Sequence, residues 1–78
     1  MSGNGETMLC EGPLPYPAGT LVRDKISERT GYLTWVLEQR TKRENRLVAS
    51  QAFLRPPGGG IEWDVPLERI VRVEEPER

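Results

Sequence analysis

The chain of 78 residues contains no histidine and one cysteine, Cys10. Without histidine, the chain by itself excludes triads built on an imidazole base and the common histidine-containing zinc sites. A lone cysteine cannot close an internal disulfide, and secreted domains of this size are normally disulfide-dense, so a reducing, cytoplasmic setting is expected. No stretch approaches the roughly 18 apolar residues of a membrane span. The start, Met1-Ser2-Gly3-Asn4-Gly5-Glu6-Thr7, lacks the basic and apolar regions of a signal peptide, and no membrane partner is expected. Aromatic residues are scarce, at two Trp, two Tyr and one Phe, a thin supply for the converging rings of a methyl-ammonium cage.

An excess of either charge is missing as well. Eleven bases against twelve acids leave a net charge of -1, which gives no global attraction to nucleic acid or membrane. The distribution is uneven. Residues 1–20 carry Glu6 and Glu11 and no base, residues 21–55 carry eight bases against four acids, and residues 56–78 carry three bases against six acids. The centre is therefore basic and both ends acidic. A chain this short buries only about 60% of the surface its unfolded form exposes, so one small domain of modest stability is the upper bound.

Residues 1–12 are polar and glycine-containing apart from Met8, Leu9 and Cys10, and read as a flexible tail. Pro13, Pro15 and Pro17 alternate, which favours an extended strap that lays Leu14 or Tyr16 on the domain. Strand signals follow. Thr20-Leu21-Val22-Arg23-Asp24 opens after Gly19, and Ile26 to Thr30 form a connection in which Ile26 tucks back. Tyr32 to Leu37 alternate with period two, and Leu33, Trp35 and Leu37 are assigned to the inner face. Thr41 to Arg46 form a polar loop, and Leu47 to Arg55 return with Val48, Ser50, Ala52 and Leu54 on one side. Pro56-Pro57-Gly58-Gly59-Gly60 dictates a turn. Ile61, Trp63 and Val65 alternate with Glu62 and Asp64 as a half-buried strand, Pro66-Leu67-Glu68 suits a 3₁₀ turn, and Arg69 to Val73 close as a last strand. Residues 33–55 also hold many helix formers, but Arg40 and Glu44 interrupt the helical stripe, and two strands joined by a loop fit better.

The expected fold is all-β: a five-stranded barrel over residues 13–73, with a 3₁₀ turn before the last strand and disordered ends at 1–12 and 74–78. Closure removes the edges that such short strands otherwise expose. Gly19-Thr20-Leu21-Val22-Arg23-Asp24 with Arg29-Thr30-Gly31-Tyr32-Leu33 resembles the glycine-punctuated hairpin of SH3-like barrels of the KOW and Tudor kind. The block from Leu54 to Pro66, Leu-Arg-Pro-Pro-Gly-Gly-Gly-Ile-Glu-Trp-Asp-Val-Pro, is similar to an LRPxGGGxEW pattern in short uncharacterised actinobacterial proteins. The resemblance covers about residues 17–73 and implies an SH3-like fold without implying an activity. The sequence lacks the ALYDY-type segment and adjacent tryptophans of signalling SH3 domains, so no proline-peptide groove is implied.

No constellation for catalysis emerges. Gly58-Gly59-Gly60 is not followed by the Lys-Ser/Thr pair of a phosphate loop. Glu62 and Asp64 share the outer face of a strand, where solvation does not split two carboxyl pKa values for acid–base work, and pairing with Arg55 or Arg72 is expected. Trp35 and Trp63 read as core anchors. The strongest binding signal is the group Arg40, Lys42, Arg43 and Arg46, flanked by Tyr32 and Phe53 as exposed aromatics. These six residues are the candidate binding site of a non-enzymatic module that takes a protein partner. Weak, salt-sensitive nucleic-acid binding of the KOW type by loop 40–46 is the alternative. No cofactor, metal or small-molecule substrate is expected.

Overall fold

The computed structural model describes residues 6–74. The first five and last four positions of the expected tails lie outside the described residues. The chain is all-β, with strands β1 (Thr7–Gly12), β2 (Leu21–Asp24), β3 (Thr30–Thr41), β4 (Leu47–Arg55), β5 (Trp63–Pro66) and β6 (Ile70–Arg72), and a 3₁₀ turn at Leu67–Arg69. They form one six-stranded antiparallel sheet in the order β5-β4-β3-β2-β6, with β1 beside β3. The two end strands, β5 and β6, do not pair with each other. The sheet therefore has six strands where five were expected, and its strand pairing does not close into a ring.

The sixth strand is the largest departure from the sequence reading. Residues 7–12, expected in the tail, pair with Thr41 to Val36 of β3. The twelve-residue β3 is long enough to serve two partners on one edge: β2 takes residues 30–32 and β1 takes residues 36–41, while β4 covers the opposite edge. Beyond the core, β1, β3 and β4 continue as a three-stranded arm. The radius of gyration, 14.7 Å, and the longest extent, 56 Å, record that arm, since a compact chain of this length has a radius near 11 to 12 Å.

The core is small: Val22, Leu33, Ala52, Leu54, Val65 and Ile70 cluster, with Tyr16, Trp63 and Leu67 packed against them. Tyr16 thus anchors the proline strap, while Leu14 remains exposed. Turn chemistry delivers the strands. Gly19, at φ 91°, takes a left-handed conformation that turns the strap into β2, where Thr20 donates its N–H to the Pro17 carbonyl.

A β-bulge corrects the inner-face assignment. The β3–β4 register slips between Leu33 and Trp35, so the inward positions run Leu33, Val36, Glu38 rather than Leu33, Trp35, Leu37. An extra residue, Thr34, shifts the alternation by one and turns Trp35 outward. On β4, of the residues grouped on one side, Ala52 and Leu54 are buried in the core, whereas Val48 is exposed. Two further expectations fail: Ile26 projects from its turn at 72% exposure, and Ile61 lies outside β5 at 87% exposure.

Candidate functional site

The bulge creates an aromatic pair on the face opposite the core. Trp35 and Phe53 are register partners, and their rings stack with centroids 4.5 Å apart and planes 12° from parallel. Paired residues of an antiparallel ladder share a face, so registers of β1, β4 and β5 against β3 define this outer surface row by row. Asp64 joins Trp35 and Phe53; Glu11, Gln51 and Pro66 join Leu37; Leu9 and Ala49 join Gln39; Thr7 joins Thr41. Side-chain bonds between neighbouring rows confirm the shared face: Gln39 donates to the Thr7 hydroxyl at 2.9 Å and Gln51 donates to Asp64 at 2.8 Å.

The expected partners of the two outer carboxylates are not those found. Asp64 accepts from Gln51, and Glu62 lies 2.8 Å from the Thr34 hydroxyl, which is also 2.9 Å from the Phe53 carbonyl. One hydroxyl proton thus faces two acceptors beside the aromatic pair. Neither Arg55 nor Arg72 pairs with these carboxylates, and both carboxylates lack a cationic partner among the described residues.

The six predicted site residues do not come together. Tyr32 and Phe53 both lie on the outer face, next to the rows that hold Arg55 and Trp35. The basic group sits at the far tip of the arm, about 20 Å from Phe53 at the usual rise per strand residue. Arg40 belongs to β3 rather than to the loop, and its guanidinium bonds Glu38 at 2.9 Å and the Asn45 carbonyl at 2.8 Å. Arg46 pairs with Glu44 at 3.0 Å. Lys42 and Arg43 are the tip cations with no ion-pair partner among the described residues. The face gains residues that the sequence reading missed, namely Trp35, Leu37, Leu9 and Ala49. Their common signal, apolar side chains out of phase with the core, depends on locating the bulge.

Other polar groups serve the scaffold. Asp24 is buried at 1% exposure and receives Arg69 through bonds of 3.0 and 2.6 Å, the Ile26 N–H at 3.0 Å and the Ser27 hydroxyl at 2.8 Å. The Arg69 guanidinium above all holds this carboxyl well below the usual carboxylate range; burial opposes the shift, and the Ile26 and Ser27 bonds support it. The bridge ties the β2 end to the 3₁₀ turn. Trp63 faces inward beside Leu54 and over Gly31, as expected of a core anchor, while Arg29 lies 3.7 Å from its ring centroid on the outside. Glu38, 8% exposed, lies against Gly12 in the register row of Cys10 and Ser50.

An open cleft of about 500 Å³ lies beside Thr20, Leu21, Arg72, Val73 and Glu74. Among the described residues, no group of three acidic or cysteine side chains is placed to hold a metal ion, and no helix is long and apolar enough to cross a membrane. Set against known proteins, the chain matches no family model, no curated protein and no solved structure.

Proposed function

We propose that this chain is a non-enzymatic protein-binding module whose docking surface is the outer face of the sheet, centred on Trp35 and Phe53 and bordered by Tyr32. The observation that carries this reading is the stacked pair itself. Three of five aromatic residues face away from a core that needs apolar volume, and two of them, Trp35 and Phe53, are held in one geometry by strand pairing and a bulge. Rigid aromatic anchors on a polar-rimmed surface are the usual centre of a protein interface. The scaffold is proposed to be an SH3-like barrel left partly open. The order β5-β4-β3-β2-β6 and the 3₁₀ turn between β5 and β6 support that assignment, with β1 as an addition to it.

The reading is tested by affinity capture from native lysate with wild-type chain and with Phe53→Ser, Leu9→Lys and Lys25→Ala. A partner retained by wild type and Lys25→Ala, and lost with both outer-face variants, is the expected result. A partner captured equally by all four sets the face aside. Nucleic-acid binding by the tip is the second reading, and Lys42 and Arg43 favour it by lacking ion-pair partners among the described residues. Two phosphate contacts give a salt slope of only about -2, so this activity is expected to vanish at moderate ionic strength.

A further inference from the structure

We infer that β1 pairs edge to edge with β1 of a second copy of this chain, about a two-fold axis at Leu9, so that two three-stranded arms join into one antiparallel sheet. This seam is separate from the outer-face docking proposed above. On its far side β1 has no neighbouring strand among the described residues. The Lys42 N–H donates to the Glu6 carbonyl at 3.3 Å, and hydrogen-bonded and non-hydrogen-bonded pairs alternate along an antiparallel ladder. Met8, Cys10 and Gly12 therefore turn their backbone groups to β3, and Thr7, Leu9 and Glu11 turn theirs to the open edge. The other open edges each carry a guard against pairing: β5 has Asp64 and ends at Pro66, β6 is three residues long with Arg72 last, and β4 beyond β5 bulges at Val48. β1 runs six residues in unbroken register with no proline and no basic residue, and an edge of that kind is a template for another strand.

The positions of the open groups fix both partner and register. A second β1 offers the same three residues, and an antiparallel two-fold at Leu9 sets Leu9 against Leu9 and Thr7 against Glu11, so every open N–H and C=O finds its complement. A two-fold shifted along the strand leaves at least one of the three residues unpaired. The side chains agree with this register. Leu9, 65% exposed, gains an apolar neighbour directly opposite. The Thr7 hydroxyl accepts from Gln39 and keeps its own proton for Glu11 of the second copy, while the two Glu11 carboxylates stay about 14 Å apart along the seam. On the opposite face Met8 stands against Cys10 of the second copy in a close, non-hydrogen-bonded pair with Cα atoms about 4.5 Å apart, whereas the two Cys10 Cα atoms are about 8 Å apart. The seam lies beside Leu37 to Thr41 of β3, and β2 pairs no further along β3 than Tyr32, so β2 and β6 stand about 17 Å away and leave it clear. A single strand seam is smaller than a standard interface, so association is weak and depends on concentration.

Sedimentation velocity of the full chain from 10 μM to 1 mM under reducing conditions, together with oxidative cross-linking, tests the inference. The average mass of wild type is expected to rise from one chain toward two. Leu9→Lys and Leu9→Glu, each folded by circular dichroism, set like charges directly opposite and weaken self-association about tenfold; an equimolar mixture of the two restores a heterodimer. With oxidised glutathione as the oxidant, Met8→Cys is expected to give a disulfide-linked dimer through its new thiol and Cys10, while wild type stays largely unlinked because its two Cys10 residues are too far apart to bridge. A wild type that is monomeric to 1 mM, a mixture that associates no better than its components, or wild type that links through Cys10 as readily as Met8→Cys overturns the seam. Any of these leaves the outer-face reading standing, since Trp35 and Phe53 take no part in the seam.

Discussion

Gly31→Ala tests the register that seats Trp63. Gly31 is buried in β3, where its backbone pairs with Val22. A methyl group there meets the Trp63 ring at 2.6 Å, the Arg55 carbonyl oxygen at 3.0 Å and Leu54 Cβ at 3.1 Å. The ring can swing away only by leaving the core and its contact with Arg29, and the carbonyl belongs to a paired strand. Overpacking of this kind costs about 1 to 3 kcal/mol, partly offset by about 0.4 to 1 kcal/mol from the stiffer unfolded chain. A domain of this length holds only about 4 to 12 kcal/mol in all, so the melting temperature falls by roughly 5 to 15 °C. Trp63→Ala costs about 3 kcal/mol, the low end for a large aromatic because the ring is only partly buried. In the double variant the methyl enters space the ring has vacated, and the combined cost is smaller than the sum by about 1 kcal/mol or more. Urea unfolding of the four chains, followed by far-ultraviolet circular dichroism, gives the cycle. Strictly additive costs, or a Gly31→Ala chain as stable as wild type, refute the placement of Trp63 over Gly31.

Two further perturbations report on other parts of the molecule. Asp24 is held below its ordinary value of 3.8, chiefly by Arg69; its contribution is therefore complete above about pH 5 and is lost as pH falls through 3.8 toward the depressed folded value. Melting temperatures of wild type should drop steeply below pH 4, and Asp24→Asn should be less stable at pH 7 with a flatter acid limb; parallel profiles count against the bridge. Gly12→Ala places a methyl group 2.5 Å from Glu38 Cγ, forcing that side chain off Arg40 at a cost of about 1 to 2 kcal/mol. Hydrogen exchange should accelerate in Thr7–Gly12 while Leu21–Asp24 stays protected, and uniform acceleration contradicts an arm supported locally by Glu38.

Much of the fold is legible in residue order because local chemistry sets it. Glycine and proline place the turns at Gly19 and at Pro56 to Gly60, Leu33 and Trp63 are read as inward, and Pro66-Leu67-Glu68 foreshadows the 3₁₀ turn. β1 is not legible, since Thr7–Gly12 has no apolar alternation of its own and is held by ladder bonds to the far half of β3. The inner face of β3 is misread past Leu33 because a period-two pattern carries no mark of an inserted residue. That one slip hides the candidate site: it sends Trp35 outward to meet Phe53 and moves Val36 and Glu38 inward. The basic group is a cluster in sequence, but strand length carries its tip about 20 Å from the aromatics, and Glu38 and Glu44 neutralise two of its four charges.

Backbone amide spectra of the chain, recorded without and with the partner recovered by capture, test the outer face most directly. On addition of the partner, shifts are expected at Leu9, Leu37, Ala49 and Phe53, with none at Val22, Val71 or Ile70 on the β2–β6 side. Shifts confined to β2 and β6, or a folded chain that captures no partner, contradict docking through the outer face.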